Sequence, residues 1–252
     1  MAYHTADAAD ALNSKKRFLL VAESDAQNLR YLSGLLKRFG YHTCAAKSAQ
    51  EAVEMALVAT PALIITALDF KGVDGLELMR DLRKNPGLGV VPFIGLRRQG
   101  DLAGEKRCRE FGASDCLYQP VTPEKLYLSV QAATEIRPRK CIRLMTTLSV
   151  KVTNHSPEQF DGASTLDLSE AGMFLRCAEP VDANSQLALS FSLQGETIPV
   201  EAKVVYSYRT PGGPYLQPGM GLEFTKIAPG ARELIRRFVR NEITKDIAPL
   251  NA

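Results

Sequence analysis

Between Phe18 and about Ile136, short apolar runs alternate with longer stretches in which apolar residues recur every three or four positions. That alternation predicts β-strands interleaved with amphipathic helices. Phe18-Leu19-Leu20-Val21 reads as the first strand. Ser24-Asp25-Ala26-Gln27 has the spacing of a capping box, and Leu29, Leu32, Leu36 and Phe39 follow at helical period until Gly40 ends the helix. Ser48-Ala49-Gln50-Glu51 is a second capping box. There follow strand Leu63-Ile64-Ile65-Thr66 inside the apolar run Ala62 to Leu68, helix Leu76 to Lys84, and strand Phe93-Ile94-Gly95-Leu96. A short helix around Glu105 to Phe111 and strand Cys116-Leu117-Tyr118 come next. Thr122 caps and Pro123 opens a last helix through Leu126, Val130 and Ala133. The pattern is that of a (βα)5 doubly wound parallel sheet, whose ligands bind at the carboxyl ends of the strands.

After Ile136 the period changes. Arg137-Pro138-Arg139-Lys140 is a basic connector with a helix-breaking proline. Strand-like segments follow at Arg143 to Val152, Gly162 to Leu166, Met173 to Cys177, Leu187 to Leu193, Ile198 to Tyr208 and Leu216 to Phe224. Six short strands predict a small β-barrel. Gln194-Gly195 and Pro211-Gly212-Gly213-Pro214 punctuate them, the second long enough for a mobile loop. A final helix, Pro229 to Lys245, has an apolar stripe of Leu234, Ile235, Phe238 and Val239, with Arg232, Arg236, Arg237 and Arg240 on a solvated face. The expected division is a flexible tail at 1–16, an α/β domain at 17–136, and an all-β domain with its linker and terminal helix at 137–252.

Length and composition narrow the class. A chain of 252 residues has room for two ordinary cores, and 45% hydrophobic with 23% charged residues is the balance of a soluble globular protein. No apolar run approaches the ~20 residues of a membrane helix, and residues 1 to 14 lack a secretory signal pattern. A cytoplasmic protein without membrane insertion is expected. Cys44, Cys108, Cys116, Cys141 and Cys177 are odd in number and form no C-x-x-C pair, which argues against a disulfide framework and against zinc. His4, His42 and His155 are scattered, so neither a metal site nor a catalytic triad can be read, and no enzyme is expected. A net charge of +3 without aromatic-basic clusters argues against nucleic-acid binding.

Candidate chemistry lies in two short motifs, Arg139-Lys140-Cys141-Ile142-Arg143 and Asp167-Leu168-Ser169-Glu170-Ala171-Gly172. Arginines four apart on an extended chain project the same way, so both guanidinium forks can converge on one phosphate-bearing ligand. Asp167 can accept from the N–H edge of a guanine and Ser169 can donate to a phosphate or ring atom. Gly172 lets the backbone turn where a Cβ would clash.

The order of the motifs, with strand-like sequence between them and Met173-Phe174-Leu175 directly after, resembles the PilZ family of β-barrel receptors for cyclic di-GMP. The resemblance runs from roughly 137 to 246 and includes Gly219-Met220-Gly221-Leu222-Glu223-Phe224 as the closing strand. It implies a cyclic di-GMP site at Arg139, Arg143, Asp167, Ser169 and Gly172, with no other cofactor, and leaves open whether one molecule or an intercalated pair binds.

The first half resembles a response-regulator receiver domain on Pro61 to Gly75, Val91-Pro92-Phe93-Ile94, Gly112-Ala113 and Gln119-Pro120. Its functional positions depart from the family. The phosphate-accepting position is Ala67, which has no nucleophilic oxygen, and of the acidic pair only Glu23 remains beside Ala22. The hydroxyl position is Arg97, the lysine position Gln119 and the aromatic switch position Cys116. Asp69 lies about 6–7 Å along an extended chain from Ala67 and reads as a surface aspartate. Arg97 and Arg98 read as solvated, with an alternative role as positive charge beside the vacant pocket.

The resemblances together imply a cyclic di-GMP effector with a pseudo-receiver domain, of the kind serving bacterial motility or biofilm formation. Output would pass through unidentified protein partners, with a homodimer left open. A clamp on the connector would turn ligand binding into domain geometry. Two alternatives stand beside this reading: a nucleotide-free scaffold using both modules for partners, and a working phosphorelay component.

Overall fold

A computed structural model of the chain describes residues 18–70, 73–209 and 217–247, in two units: 1–140 with 244–252, and 141–243. The tail at 1–16, the Pro211 to Pro214 turn and the expected start of the final strand at Leu216 lie outside the described residues.

The first unit runs β1 (Phe18–Ala22), α1 (Ala26–Arg38), β2 (His42–Ala46), α2 (Ala49–Val58), β3 (Leu63–Ala67), a small hairpin of β4 (Asp69–Phe70) and β5 (Val73–Asp74), and α3 (Gly75–Arg83). It continues through β6 (Phe93–Arg98), α4 (Leu102–Glu110), β7 (Asp115–Gln119) and α5 (Pro123–Thr134). The five long strands form a parallel sheet ordered β2-β1-β3-β6-β7. Because side chains alternate across a strand, Leu20, Ile64 and Phe93 pack on one face while Leu19, Val21, Ile65 and Ile94 pack on the other. Both faces are covered, which is why β3 is buried throughout.

The helix starts differ from the sequence expectation in two places. Asp25, not Ser24, caps α1, accepting from the N–H groups of Gln27 and Asn28 at 3.0 and 2.8 Å. Helix α4 begins at Leu102 rather than near Glu105, because Asp101 caps it through the Gly104 N–H at 2.8 Å. Ser48 caps α2 as expected, while Glu51 reaches back to the Lys47 N–H at 2.7 Å.

The second unit is a curled antiparallel sheet with a C-terminal helix. Its strands are β8 (Leu144–Met145), β9 (Val150–Val152), β10 (Ser164–Ser169), β11 (Gly172–Arg176), β12 (Gln186–Leu193), β13 (Glu196–Tyr208) and β14 (Gly219–Ile227), ordered β8-β10-β11-β14-β13-β12-β9. The stretch Arg143 to Val152, expected as one strand of six, is divided. Its front part pairs with β10 and its end pairs with β12. Between them the Val150 N–H donates to the Ala163 carbonyl at 3.0 Å and the Thr165 N–H to the Leu148 carbonyl at 2.9 Å. One bent segment therefore meets both ends of the curled sheet. Helix α6 (Pro229–Thr244) buries Leu234, Ile235, Val239 and Ile243. No helix among the described residues is long and apolar enough to cross a membrane.

Candidate functional site

Strand register brings four of the five expected ligand residues, Arg143, Asp167, Ser169 and Gly172, together. Asp167 pairs with Met145 and Leu168 with Leu144, so the next step of that antiparallel ladder brings Arg143 level with Ser169. A bulge between Thr165 and Asp167 resets β10 against β11, after which Asp167 lies opposite Phe174. Asp167 and Ser169, two apart, then share a face.

Their polar atoms are engaged within the sheet. The Phe174 N–H donates to Asp167 Oδ1 at 3.0 Å, and Arg143 Nη1 to Oδ2 at 3.2 Å. The Asp167 side chain is only 2% exposed, whereas Arg143 keeps 30% of its side chain in solvent. Ser169 Oγ donates to the Gly172 carbonyl at 3.0 Å and braces the hairpin. Gly172 is needed for close approach rather than for a turn: a Cβ there would lie 2.0 Å from the Leu222 carbonyl oxygen of β14, its neighbour in the sheet.

Arg139 is exposed and belongs to the first unit, where its N–H donates to Gln131 Oε1 of α5 at 2.8 Å. Gln131 Nε2 in turn donates to the Tyr41 hydroxyl at 2.6 Å.

Glu170, inside the second motif, was not singled out from the sequence. Its side chain accepts from Cys141 Sγ at 3.4 Å and from Arg236 Nε, and its carbonyl accepts from Arg232 Nη1 at 3.0 Å. Two of the four α6 arginines read as a solvated face are therefore bound to the motif turn. Burial and then Glu170 push the Cys141 thiol up.

At the carboxyl ends of the parallel strands, Glu23, Ala67, Arg97 and Gln119 line a cavity of about 390 Å³ with Asp25, Asp69, Arg98 and Asp101. Glu23 accepts from Gln119 Nε2 at 2.6 Å and from the Asp25 N–H at 3.0 Å. Ala67 presents its methyl group. Arg97 is not solvated as expected: its side chain is 10% exposed and pairs with Glu105 at 2.7 Å. Arg98 pairs with Asp69 at 3.0 Å on the surface. No cluster of His, Cys, Asp or Glu among the described residues could hold a metal ion.

Residues 19–131 match the response regulator receiver domain, and residues 137–241 match the PilZ domain. The chain joins a receiver domain to a PilZ domain. The receiver part is similar to the transcriptional regulatory protein ResD of Bacillus subtilis, 31% identical over 123 residues that make up 49% of this chain and 49% of ResD. It is also similar to a probable chemotaxis protein CheY of Rhizobium etli, 25% identical over 47% of this chain and 93% of that protein. The chain thus spans about half the length of ResD. Among solved structures, a putative response regulator from Chloroflexus aurantiacus aligns with a TM-score of 0.45 and 28% identity, over 47% of this chain and 97% of that one. Within the PilZ domain lie all five candidate ligand residues, with Arg139 and Arg143 near its start. In the receiver domain, Glu23, Ala67, Arg97 and Gln119 gather at the strand-end cavity, while Ala22, the last residue of β1, is buried and does not line it.

Proposed function

We propose that the chain is a cyclic di-GMP effector whose PilZ domain binds the nucleotide and whose receiver domain does not accept phosphate, with output through protein contacts. The observation that carries the reading is the placement of Arg143, half-buried and fixed by Asp167, level with Ser169 on the neighbouring strand. A guanidinium held in place by a buried carboxylate has already lost much of its rotamer freedom, so less is lost when it grips a phosphate. Asp167 acts chiefly through Arg143, since its own oxygens are bonded and buried. Arg139 adds the second cation, and Ser169 and Gly172 hold the hairpin that frames the site. The receiver domain lacks an acceptor at Ala67, and Gln119 occupies the remaining Glu23 carboxylate. The protein acts in the cytoplasm.

The test is calorimetric titration of the full chain with cyclic di-GMP. Arg143→Lys keeps a cation for Asp167 but loses the planar fork, and each charge-assisted arginine bond is worth about 1.5–3 kcal/mol. Roughly tenfold or greater weakening is expected, with the PilZ fold intact by circular dichroism; Arg139→Ala should weaken binding comparably. Unchanged affinity in both variants would remove the site. The alternative, a nucleotide-free scaffold, has its own supporting observation: the Asp167 and Ser169 side chains already serve the sheet. Absence of heat in the wild-type titration would favour it.

A further inference from the structure

The receiver domain contains a pair of cysteines placed to react with each other. Gly95 of β6 is the register partner of Cys116 on β7, so both side-chain positions face the same side of the sheet. A Cβ built on Gly95 would lie 2.2 Å from Cys108 Sγ and 3.8 Å from Cys116 Sγ. The missing side chain is the space in which the two sulfurs meet. Cys108, on α4, is fully buried in the core, while Cys116 packs against that core and keeps partial access to solvent.

The surroundings of Cys116 favour its thiolate. Arg97, on the same strand as Gly95, has Nη2 paired with Glu105 at 2.7 Å, whereas its Nε is buried with no acceptor. A buried donor without a partner is costly, and an anionic sulfur beside it would supply one. The hydrogen bond from the Cys108 thiol first, and Arg97 in addition, bring the Cys116 thiol below its ordinary range. The same contact with Cys116, followed by burial, raises the Cys108 thiol.

We propose that Cys108 and Cys116 are a peroxide-sensitive dithiol, Cys116 being the attacking thiolate and Cys108 the resolving thiol. The Cys116 sulfur attacks one oxygen of a hydroperoxide, the O–O bond breaks, and the released hydroxide leaves as water after taking a proton. Cys116 is then a sulfenic acid. The Cys108 sulfur attacks it, the S–S bond forms, and the sulfenic oxygen leaves with the Cys108 proton as a second water. Two thiols lose two electrons and the peroxide gains them; a dithiol reductant reverses the result. The disulfide ties α4 to β7.

The experiment treats the reduced full chain with hydrogen peroxide, removes the excess with catalase, alkylates with N-ethylmaleimide and digests with trypsin. Arg109 lies between the two cysteines, so cleavage there converts the bond into a link between two peptides. The expected result is a Cys108–Cys116 linked pair that dithiothreitol separates, with Cys44, Cys141 and Cys177 alkylated. In Cys108→Ser, dimedone should trap a sulfenic acid at Cys116. In Arg97→Gln, oxidation of Cys116 should slow by roughly fivefold or more, as expected for a thiolate deprived of its cation. The proposal is overturned if Cys116 remains alkylatable after peroxide, if it passes to sulfinic acid with no linked peptide, or if Cys108→Ser yields no trapped sulfenic acid. An unchanged rate in Arg97→Gln would remove Arg97 from the chemistry.

Discussion

Replacing Asp167 separates the structural from the ligand-binding role of the second PilZ motif. Asp167→Ala removes the acceptor for the buried Phe174 N–H at 3.0 Å and for Arg143 at 3.2 Å. Hydrogen bonds to a charged group contribute about 1.5–3 kcal/mol, and a buried donor left without an acceptor costs about 1–3 kcal/mol. The Arg143 share must be discounted because 30% of that side chain is in solvent, where water replaces part of the attraction. A loss of about 3 kcal/mol for the β10–β11 region follows. Asp167→Asn keeps an oxygen for the Phe174 N–H and gives up only the charge, so its cost should be about 1 kcal/mol. Amide hydrogen exchange of residues 164–176 reads this directly: at 1.4 kcal/mol per factor of ten, Ala should lower protection about a hundredfold and Asn only several-fold. Equal effects of Ala and Asn, or a less than threefold change with Ala, would show that the Phe174 bond does not hold the hairpin.

Gly172→Ala places a methyl 2.0 Å from the Leu222 carbonyl, so strands β11 and β14 must separate, and a loss of about 2 kcal/mol or more is expected as a lower melting temperature. An unchanged melting temperature would show that the close approach is not required. Glu170→Ala removes the acceptor that ties Arg236 to the motif turn, leaving only Glu233 within the helix, and should speed amide exchange in residues 229–244 while leaving β12 and β13 protected. Tyr41 is pushed up from 10.0 to about 12, first by burial and then by Glu135. Its neutral form is favoured in the folded state, so the stability it contributes is intact below pH 10 and lost as the pH rises through about 12; Tyr41→Phe should flatten that alkaline loss in urea denaturation. Incubation with Mg²⁺ and acetyl phosphate should leave the peptide 61–75 unmodified by mass spectrometry, and a phosphorylated Asp69 would refute the proposal for the receiver domain.

What the sequence revealed follows from where the physical signal is local. Strands β1, β3 and β6 are apolar runs because the parallel sheet is covered on both faces, and they stand out at once. Strand β2, His42-Thr43-Cys44-Ala45-Ala46, lies at the sheet edge, is largely half-buried or exposed, and carries no such run. Helix α4 buries only Gly104 and Cys108, so apolar periodicity could not mark its start, and the Asp101 cap was the only signal available. In the PilZ domain the charged motif was legible as chemistry, but its bonding was not. The Asp167 contact with the Phe174 backbone depends on a bulge and a cross-strand register, and the Glu170 contacts reach 62 and 66 residues along the chain. Helical period alone makes Arg232 and Arg236 look like a solvated face.

The strand-end cavity of the receiver domain bears on the proposed loss of phosphorylation beyond the absence of an aspartate at position 67. Its polar groups are largely engaged already: the Glu23 carboxylate by the Gln119 amide, Arg97 by Glu105 and Arg98 by Asp69. A phosphoryl group added there would bring negative charge toward Glu23, Asp25, Asp69 and Asp101, while the two guanidinium groups that line the cavity, Arg97 and Arg98, are already paired with Glu105 and Asp69. Phosphoryl transfer at that position would therefore require breaking Arg97 from Glu105 and Gln119 from Glu23, in addition to supplying a nucleophile. Neither is a free change, because each leaves a half-buried polar group without its partner. Arg97, paired with Glu105, also lowers the Cys116 thiol. On the proposed reading, Arg97 stands where the receiver family has a hydroxyl residue and serves the Cys108–Cys116 pair instead, so an oxidant rather than a phosphodonor would be the signal the domain registers.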